Sequence, residues 1–130
     1  MWNSAPVELH ELTESEVAQA MRALFDQPQR EFHHVAVVTA TLVTERAWKH
    51  ACSKRAPRGV AVALSPAFLV TLKESIQTKS WWDTVDSLAK PVGYMVRLLK
   101  ECDDEMDAWS RDEDFWVRRI ALIHQVRGHV

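Results

Sequence analysis

The stretch Thr78-Lys-Ser-Trp-Trp-Asp-Thr-Val-Asp86 carries the residues whose types and spacing are best suited to chemistry. On a helix, Trp82 and Asp86 lie one turn apart and share a stripe with Ala89 and Gly93, whose small side chains leave open space. An indole beside a carboxylate above small residues forms a floor for a bound group. The same arrangement would pack poorly in a core, because a buried carboxylate without a partner is costly.

This helix also has an ordinary structural interpretation. Ser80 is expected to be its N-cap and Asp83 to lie near its N-terminus, where the macrodipole favours a carboxylate. Aromatic residues at helical spacing usually belong to a core, and Asp near a helix start is usually a cap, so these features alone favour a structural role. The predicted core stripe is Trp81, Val85, Leu88 and Val92, and the predicted solvent stripe is Asp83, Ser87 and Lys90.

Two helices are predicted ahead of this stretch, near the N-terminus. Thr13-Glu-Ser-Glu16 is a capping box that starts a first helix ending near Asp26. A second helix is predicted over residues 30–50. Its middle is β-branched and by itself would suit a strand, but a long run without Gly or Pro favours a helix.

Proline and glycine mark the later boundaries. A third helix is predicted over 65–77, with Ser65 as N-cap and Pro66 at the first helical position. After the Trp-Trp helix, Pro91 and Gly93 are expected to interrupt or kink the chain. Further helical segments are predicted at 95–99, in a turn ending near Trp109, and from about Asp112 onwards.

The composition favours a single globular domain rich in helix. The chain has 130 residues, of which 47% are apolar and 26% charged, with 3 Gly and 5 Pro; this scarcity of turn residues argues against an all-β fold. The net charge of −2 excludes a chain that is basic throughout, so a nucleic-acid contact must come from a local patch. No apolar run approaches the length of a membrane span and the N-terminus lacks a secretory pattern, so an intracellular location is expected.

The cysteines and histidines point to neither a metal site nor a redox site. Cys52 and Cys102 match no metal or redox spacing and are interpreted as free thiols in a reducing compartment. His33 and His34 are adjacent, which is not ligand spacing on a helix, so we interpret them as surface or packing residues. We therefore expect no metal and no cofactor.

Two segments of opposite charge carry opposite expectations for nucleic acid. A basic set around a loop could contact phosphates, although such loops are more often simply solvated. Residues 101–114 hold eight acids and one base, Arg111, and should repel DNA, so they are expected on a convex side. The basic set is Arg46, Lys49, Lys54, Arg55 and Arg58, opposed only by Glu45.

Arg119 is an arginine on an apolar stripe of the last helix. It aligns with Phe115, Leu122 and Val126, and a guanidinium in such surroundings needs a partner. One interpretation is an intramolecular salt bridge or a stem that reaches water. The other is a clamp on a phosphate, and the residues alone leave both open. The stripe predicted to face the core is Trp116, Ile120 and Ile123.

Three blocks of the sequence resemble the DNA alkylation repair family, the AlkD-like DNA glycosylases. The most specific is Thr78-Lys-Ser-Trp-Trp-Asp-Thr-Val-Asp-Ser-Leu-Ala89. The second is Asp112-Glu-Asp-Phe-Trp-Val-Arg-Arg-Ile-Ala-Leu-Ile-His-Gln125, and the weakest is Arg22-Ala-Leu-Phe-Asp-Gln-Pro-Gln-Arg-Glu-Phe32. They follow the order of the family and together cover most of residues 20–127.

The resemblance sharpens the expected fold. Periodicity alone predicts an all-α bundle of five or six helices. The resemblance implies an α-solenoid of antiparallel helix pairs, HEAT-like repeats of the armadillo type, with a concave DNA-binding face. Residues 13–130 would form this one domain after an irregular lead-in at 1–12. Compared with the family, both ends are shortened and a later active-site tryptophan has no counterpart, so self-association through uncapped repeat ends is a further hypothesis.

The resemblance also implies a function in base excision repair. The family hydrolyses the N-glycosidic bond of cationic alkylated purines, such as 3-methyladenine and 7-methylguanine, in duplex DNA without base flipping. Asp86 and Trp82 would be catalytic, and Arg119 would hold a backbone phosphate. Further DNA contacts are expected from Lys79, Trp81 and Arg127. The alternative is a HEAT-like module that has lost catalysis and binds DNA or protein.

Overall fold

The computed structural model describes residues 12–53 and 61–128, with side chains described up to Gln125. These residues form six α-helices and no strand, which confirms the predicted all-α class. Most of the lead-in and the loop segment Lys54–Arg58 lie outside the described residues. The helices are α1 (Glu14–Asp26), α2 (Arg30–Cys52), α3 (Ala67–Gln77), α4 (Trp82–Leu98), α5 (Lys100–Trp109) and α6 (Phe115–Gly128).

The first two helices begin at the residues that the sequence predicts. The capping box at α1 is formed, with Glu16 N donating to Thr13 Oγ1 at 3.1 Å and Thr13 N donating to Glu16 Oε1 at 3.0 Å. The β-branched middle of α2 is helical, as its length predicted. The hydroxyls of Thr39, Thr41 and Thr44 each donate to the carbonyl four residues earlier, which satisfies them within the helix.

The start of α3 is tied to the first turn of α1. The Glu14 carboxylate accepts hydrogen bonds from Ser65 N and Ser65 Oγ, each at 2.7 Å. The helix begins at Ala67 with Pro66 in the N-cap position, one residue later than predicted. Ser65 Oγ still accepts a hydrogen bond from Ala67 N at 3.3 Å, so it supports the helix start from just outside.

The predicted interruption of the helix at Pro91 and Gly93 is wrong, whereas the alternative of a kink stays a prediction. α4 continues through both residues to Leu98, so the separate short helix expected at 95–99 is its last part. Proline at this position removes one backbone hydrogen bond, but the neighbouring Val92 and Met95 are fully buried and packing on both sides holds the helix together. Tertiary packing here outweighs the local signal.

The helix α4 lies at the centre of the molecule. It packs against α2 on one side and α6 on another, and it also contacts α3 and α5. α1 packs against α2 and α3, while α6 contacts α3 and α5. This succession of packed helices is solenoid-like, as predicted. The fully buried core includes Met21, Phe68, Leu72, Ile76, Val85, Leu88, Met95 and Ile120.

Candidate active site at the starts of α4 and α6

The first turns of α4 and α6 bring four aromatic rings together, here called the aromatic cluster: Trp81, Trp82, Phe115 and Trp116. The centroid of the Trp116 ring lies 4.8 Å from that of Trp82 and 6.4 Å from that of Trp81. The rings of Phe115 and Trp82 are 6.2 Å apart, edge to face. Trp81 is 58% exposed and Trp82 45%, so the prediction that Trp81 faces the core is wrong. The rings contact one another edge to face or tilted, and the cluster reaches the surface instead of lying in the core.

The loop before α4 differs from the predicted cap. Trp81 occupies the N-cap position without a side-chain hydrogen bond, and Ser80 Oγ donates back to Ile76 O, so Ser80 is not the N-cap. Lys79 has a φ of 49°, in the left-handed region that favours glycine. Its Nζ donates to Phe25 O at 2.7 Å and Gln27 O at 2.9 Å, which satisfies carbonyls at the end of α1. Lys79 therefore has a structural role, and its contact with DNA stays a prediction.

Asp83, predicted to face solvent near the start of the helix, is exposed and is also held by residues of α2. Arg30 Nε donates to Asp83 Oδ2 at 3.1 Å, and Arg30 Nη2 pairs with the other oxygen. His34 Nε2 lies 2.7 Å from Asp83 Oδ2. Arg30 Nη1 also donates to Lys79 O at 2.9 Å. This network fixes the start of α4 on α2, and the sequence offered no signal for it because its members are 49 to 53 positions apart.

The pairing of Asp83 makes a pH-dependent contribution to stability. The hydrogen bond from Arg30, followed by that from His34, lowers the pKa of Asp83 from 3.8 to about 2. A depressed pKa gives stability that is complete above the unfolded value and is lost as pH falls from about 4 to about 2. The Asp83 side chain is 31% exposed, so we expect only about 1 kcal/mol after solvent screening. Across this pH range, the free energy of unfolding measured with urea should fall less for Asp83→Asn than for the parent chain. Equal decreases for the two chains would contradict this role of Asp83.

Asp86 and Arg119 form a two-pronged ion pair between α4 and α6. Arg119 Nε donates to Asp86 Oδ1 at 2.6 Å, and Nη2 donates to Oδ2 at 2.9 Å. The hydrogen bond to Asp86 raises the pKa of the Arg119 guanidinium above its usual range. The guanidinium carbon also lies 4.6 Å from the centroid of the Trp82 ring, a cation–π distance. Of the two interpretations of Arg119, the intramolecular salt bridge is thus present in the structure.

The stripe around Arg119 faces outward rather than into the core. Phe115 is 50% exposed and Leu122 is 74% exposed, while Val117 and Ile120 on the opposite side are fully buried. α6 begins at Phe115, later than predicted, because the Asp114 carboxylate caps it by accepting from Trp116 N at 2.7 Å. Arg119 therefore holds Asp86 from the surface side of α6.

A groove between α2 and α4 runs up to Asp86. Its volume is about 540 Å³. Val38 and Leu42 from α2 line it and are 55% and 61% exposed, an apolar surface that the sequence analysis missed. The sequence feature that could have indicated this surface is the apolar middle of α2, which has apolar residues on more than one face of the helix. The other lining residues are His34, Val37, Thr41, Asp83, Asp86, Ser87 and Lys90.

The structure thus brings together three of the predicted site residues: Trp82, Asp86 and Arg119. Trp81 lies beside them in the aromatic cluster, and Lys79 lies in the preceding loop. The side chain of Arg127 lies outside the described residues. A carboxylate next to an indole face suits the stabilisation of positive charge, and the guanidinium that pairs with Asp86 is a group that also binds phosphates. The catalytic and DNA-binding roles of these residues stay predictions at this point.

The adjacent histidines of α2 differ in their contacts, since His34 lies against the Asp83 carboxylate and His33 packs inside. His33 is buried, stacks on Phe25 with ring centroids 5.5 Å apart, and its Nε2 lies 2.5 Å from Gln27 O. Within the described residues, no group of three or more His, Cys, Asp or Glu is placed to hold a metal ion. Nor is any described helix both long and apolar enough to cross a membrane.

Comparison with known proteins agrees with the blocks that the sequence carries. The model of the family described as DNA alkylation repair enzyme matches residues 6–128. Searches of curated proteins and of solved structures gave no significant match. The match includes all three resemblance blocks and the residues of the candidate active site, and it supports a role in DNA alkylation repair. Since it spans nearly the whole chain, the protein belongs to the DNA alkylation repair enzyme family.

Proposed function

We propose that this protein is a DNA N-glycosylase that releases cationic alkylated purines, such as 3-methyladenine and 7-methylguanine, from duplex DNA without flipping the base. The observation that carries the proposal is the contact of Asp86 with Arg119 beside the exposed face of Trp82. The family match over residues 6–128, which supports a role in DNA alkylation repair, supports the proposal. The groove next to Asp86 is lined by the exposed side chains of Val38 and Leu42 and so reaches the surface, which suits a reaction on a duplex.

Hydrolysis of the N-glycosidic bond of a cationic purine needs little acid catalysis. Alkylation makes the purine positive, so the C1′–N bond breaks with its electron pair going to the base, which leaves as a neutral molecule. Positive charge then develops on the deoxyribose, and a carboxylate close to it lowers the energy of that state. Water adds to C1′ and gives its proton to Asp86 or to solvent. The Trp82 face adds a cation–π contribution on the same side.

Arg119 has a second task in this proposal. As long as its guanidinium forms two hydrogen bonds to Asp86, much of the negative charge of the carboxylate is neutralised. A backbone phosphate is an equally good bidentate partner for arginine. DNA binding would therefore transfer Arg119 from Asp86 to a phosphate and restore the negative charge of the carboxylate close to the sugar. Trp81, Lys79 and Arg127 would add contacts to the duplex around this point.

A second candidate is a binding module without catalysis. It is favoured by the closed Asp86–Arg119 pair, in which the Asp86 side chain is only 19% exposed. Exposed apolar residues of α6, such as Phe115 and Leu122, would then serve association with a protein or with a second copy of the chain. DNA binding would persist in this case, because the aromatic cluster and Arg119 remain at the surface.

Base release in a single turnover distinguishes the two candidates. Protein in excess is mixed with methylated duplex DNA, and free 3-methyladenine and 7-methylguanine are measured against spontaneous depurination of the same duplex. We expect release above that background from methylated DNA and none of the unmodified bases from untreated duplex. Salt-dependent binding of the duplex without any release would reject the glycosylase and support the binding module.

A further inference from the structure

A second groove lies between α3 and α5, away from the candidate active site. Its volume is about 380 Å³, and none of its lining residues belongs to the aromatic cluster or to the groove beside Asp86. We call it the α3–α5 groove. It is lined by Pro66, Leu69, Val70, Lys73, Glu101, Glu105 and Trp109.

The floor of the α3–α5 groove is apolar. Leu69 and Trp109 are almost fully buried beneath it, while Val70 is 59% exposed and presents an apolar side chain to a ligand. An exposed valine in a groove that a buried indole also lines is an anchor point for an apolar side chain of a partner. Apolar contact alone does not identify that partner, so we infer the chemical class of the partner from the charge at the rim of the groove.

The rim on the α5 side is negative. Glu101 and Glu105 are exposed and stand one helical turn apart, where like charges repel each other. The one cation in the lining, Lys73, is already paired, since its Nζ lies 2.9 Å from Asp112 Oδ2. Burial, and after it the charges of Glu101 and Glu105, raises the pKa of the Cys102 thiol to about 11. The groove therefore combines an apolar floor with two neighbouring carboxylates. Cations on a partner would relieve the repulsion between these carboxylates.

We propose that the α3–α5 groove is a docking site for a basic amphipathic segment of a partner protein, a helix with Lys or Arg beside apolar residues. Its apolar side chains would pack on Val70 above Leu69, and its cations would pair with Glu101 and Glu105. Duplex DNA does not fit this site, because its phosphates would meet carboxylates. This proposal is independent of the proposed glycosylase activity.

Binding of a synthetic probe tests the docking site. The probe is a fluorescein-labelled helix-forming peptide with Leu and Phe on one face and Lys and Arg beside them, and its affinity is measured by fluorescence anisotropy with the full chain. We expect saturable binding that E101K/E105K weakens about tenfold or more. The matched control is D103K/D104K, which makes the same charge change at exposed positions of the same helix outside the groove lining and should weaken binding about twofold at most.

Several outcomes would overturn the proposal. If the two charge-reversal pairs weakened peptide binding equally, the peptide would be attracted only by the negative surface of the protein. Equal affinity for a scrambled peptide of the same composition would mean the same. Val70→Ser removes the apolar anchor without altering charge and should also weaken binding; unchanged affinity would remove the groove from the interaction. If E101K/E105K instead changed the sedimentation of the chain alone, a second copy would be the occupant. All five positions are exposed, and thermal unfolding of each variant shows whether the fold is kept.

Discussion

Asp86→Asn should slow base release about a hundredfold or more and at the same time tighten duplex binding. The substitution preserves the size of the side chain but removes the negative charge that would stabilise the developing cation on deoxyribose. It also takes away the anionic partner of Arg119, whose two nitrogens lie 2.6 and 2.9 Å from the carboxylate oxygens. The measurement is single-turnover release from methylated duplex, together with equilibrium binding of the same duplex.

The control for this experiment is the same chemical change at a distant carboxylate. Asp104 is exposed on α5, so Asp104→Asn should keep both the release rate and the affinity. An Asp86→Asn variant with an unaltered release rate would contradict the catalytic role of Asp86. Loss of release together with loss of binding and of the folded state would assign Asp86 to the α4–α6 contact instead.

Arg119→Ala should weaken duplex binding about tenfold and also lower the rate of base release. It removes a bidentate phosphate contact, and it leaves a partly buried carboxylate without its guanidinium. Each lost phosphate contact reduces the dependence of log affinity on log salt concentration by about 0.9, so binding is measured across a salt series. Arg119→Lys keeps the charge but not the fork of donors, and we expect an intermediate affinity with the salt dependence retained.

Combining the two substitutions tests the transfer of Arg119 directly. In the parent chain, Asp86→Asn should tighten duplex binding because it frees the guanidinium. In the Arg119→Ala background the same change should leave affinity as it is, since no guanidinium remains to be freed. Equal effects of Asp86→Asn in both backgrounds would show that the two residues act independently on binding, and the transfer step would be wrong.

The helices were predictable where the local signal and the tertiary packing agree. Thr13 and Glu16 form the expected capping box, and α2 spans the long run without Gly or Pro. The sequence wrongly predicted an interruption at Pro91, because a proline indicates only the loss of its own backbone hydrogen bond. The burial of Val92 and Met95 between neighbouring helices is decided by the rest of the chain.

The candidate site was predictable only within one helix. The spacing of Trp82 and Asp86 places them on one stripe of α4 whatever else the chain does. The partner of Asp86 is 33 positions away on α6, and residue types alone did not choose between a salt bridge and a phosphate for Arg119. Helical spacing predicts a core position for Trp81, because spacing gives the face of a helix and not the distance of a residue from the helix end. At the first turn of α4, its ring reaches Trp116 at the surface instead.

The aromatic cluster gives this protein an optical signal of its own. The indoles of Trp82 and Trp116 lie 4.8 Å apart at 76° to each other, close enough for their electronic transitions to couple. Such coupling splits the circular-dichroism band of the pair, and it depends steeply on distance and angle. A duplex that stacks against Trp82, or draws Arg119 away from it, would alter that band and the indole fluorescence together. The unlabelled chain can therefore report occupancy of the site in real time, whether or not a base is released.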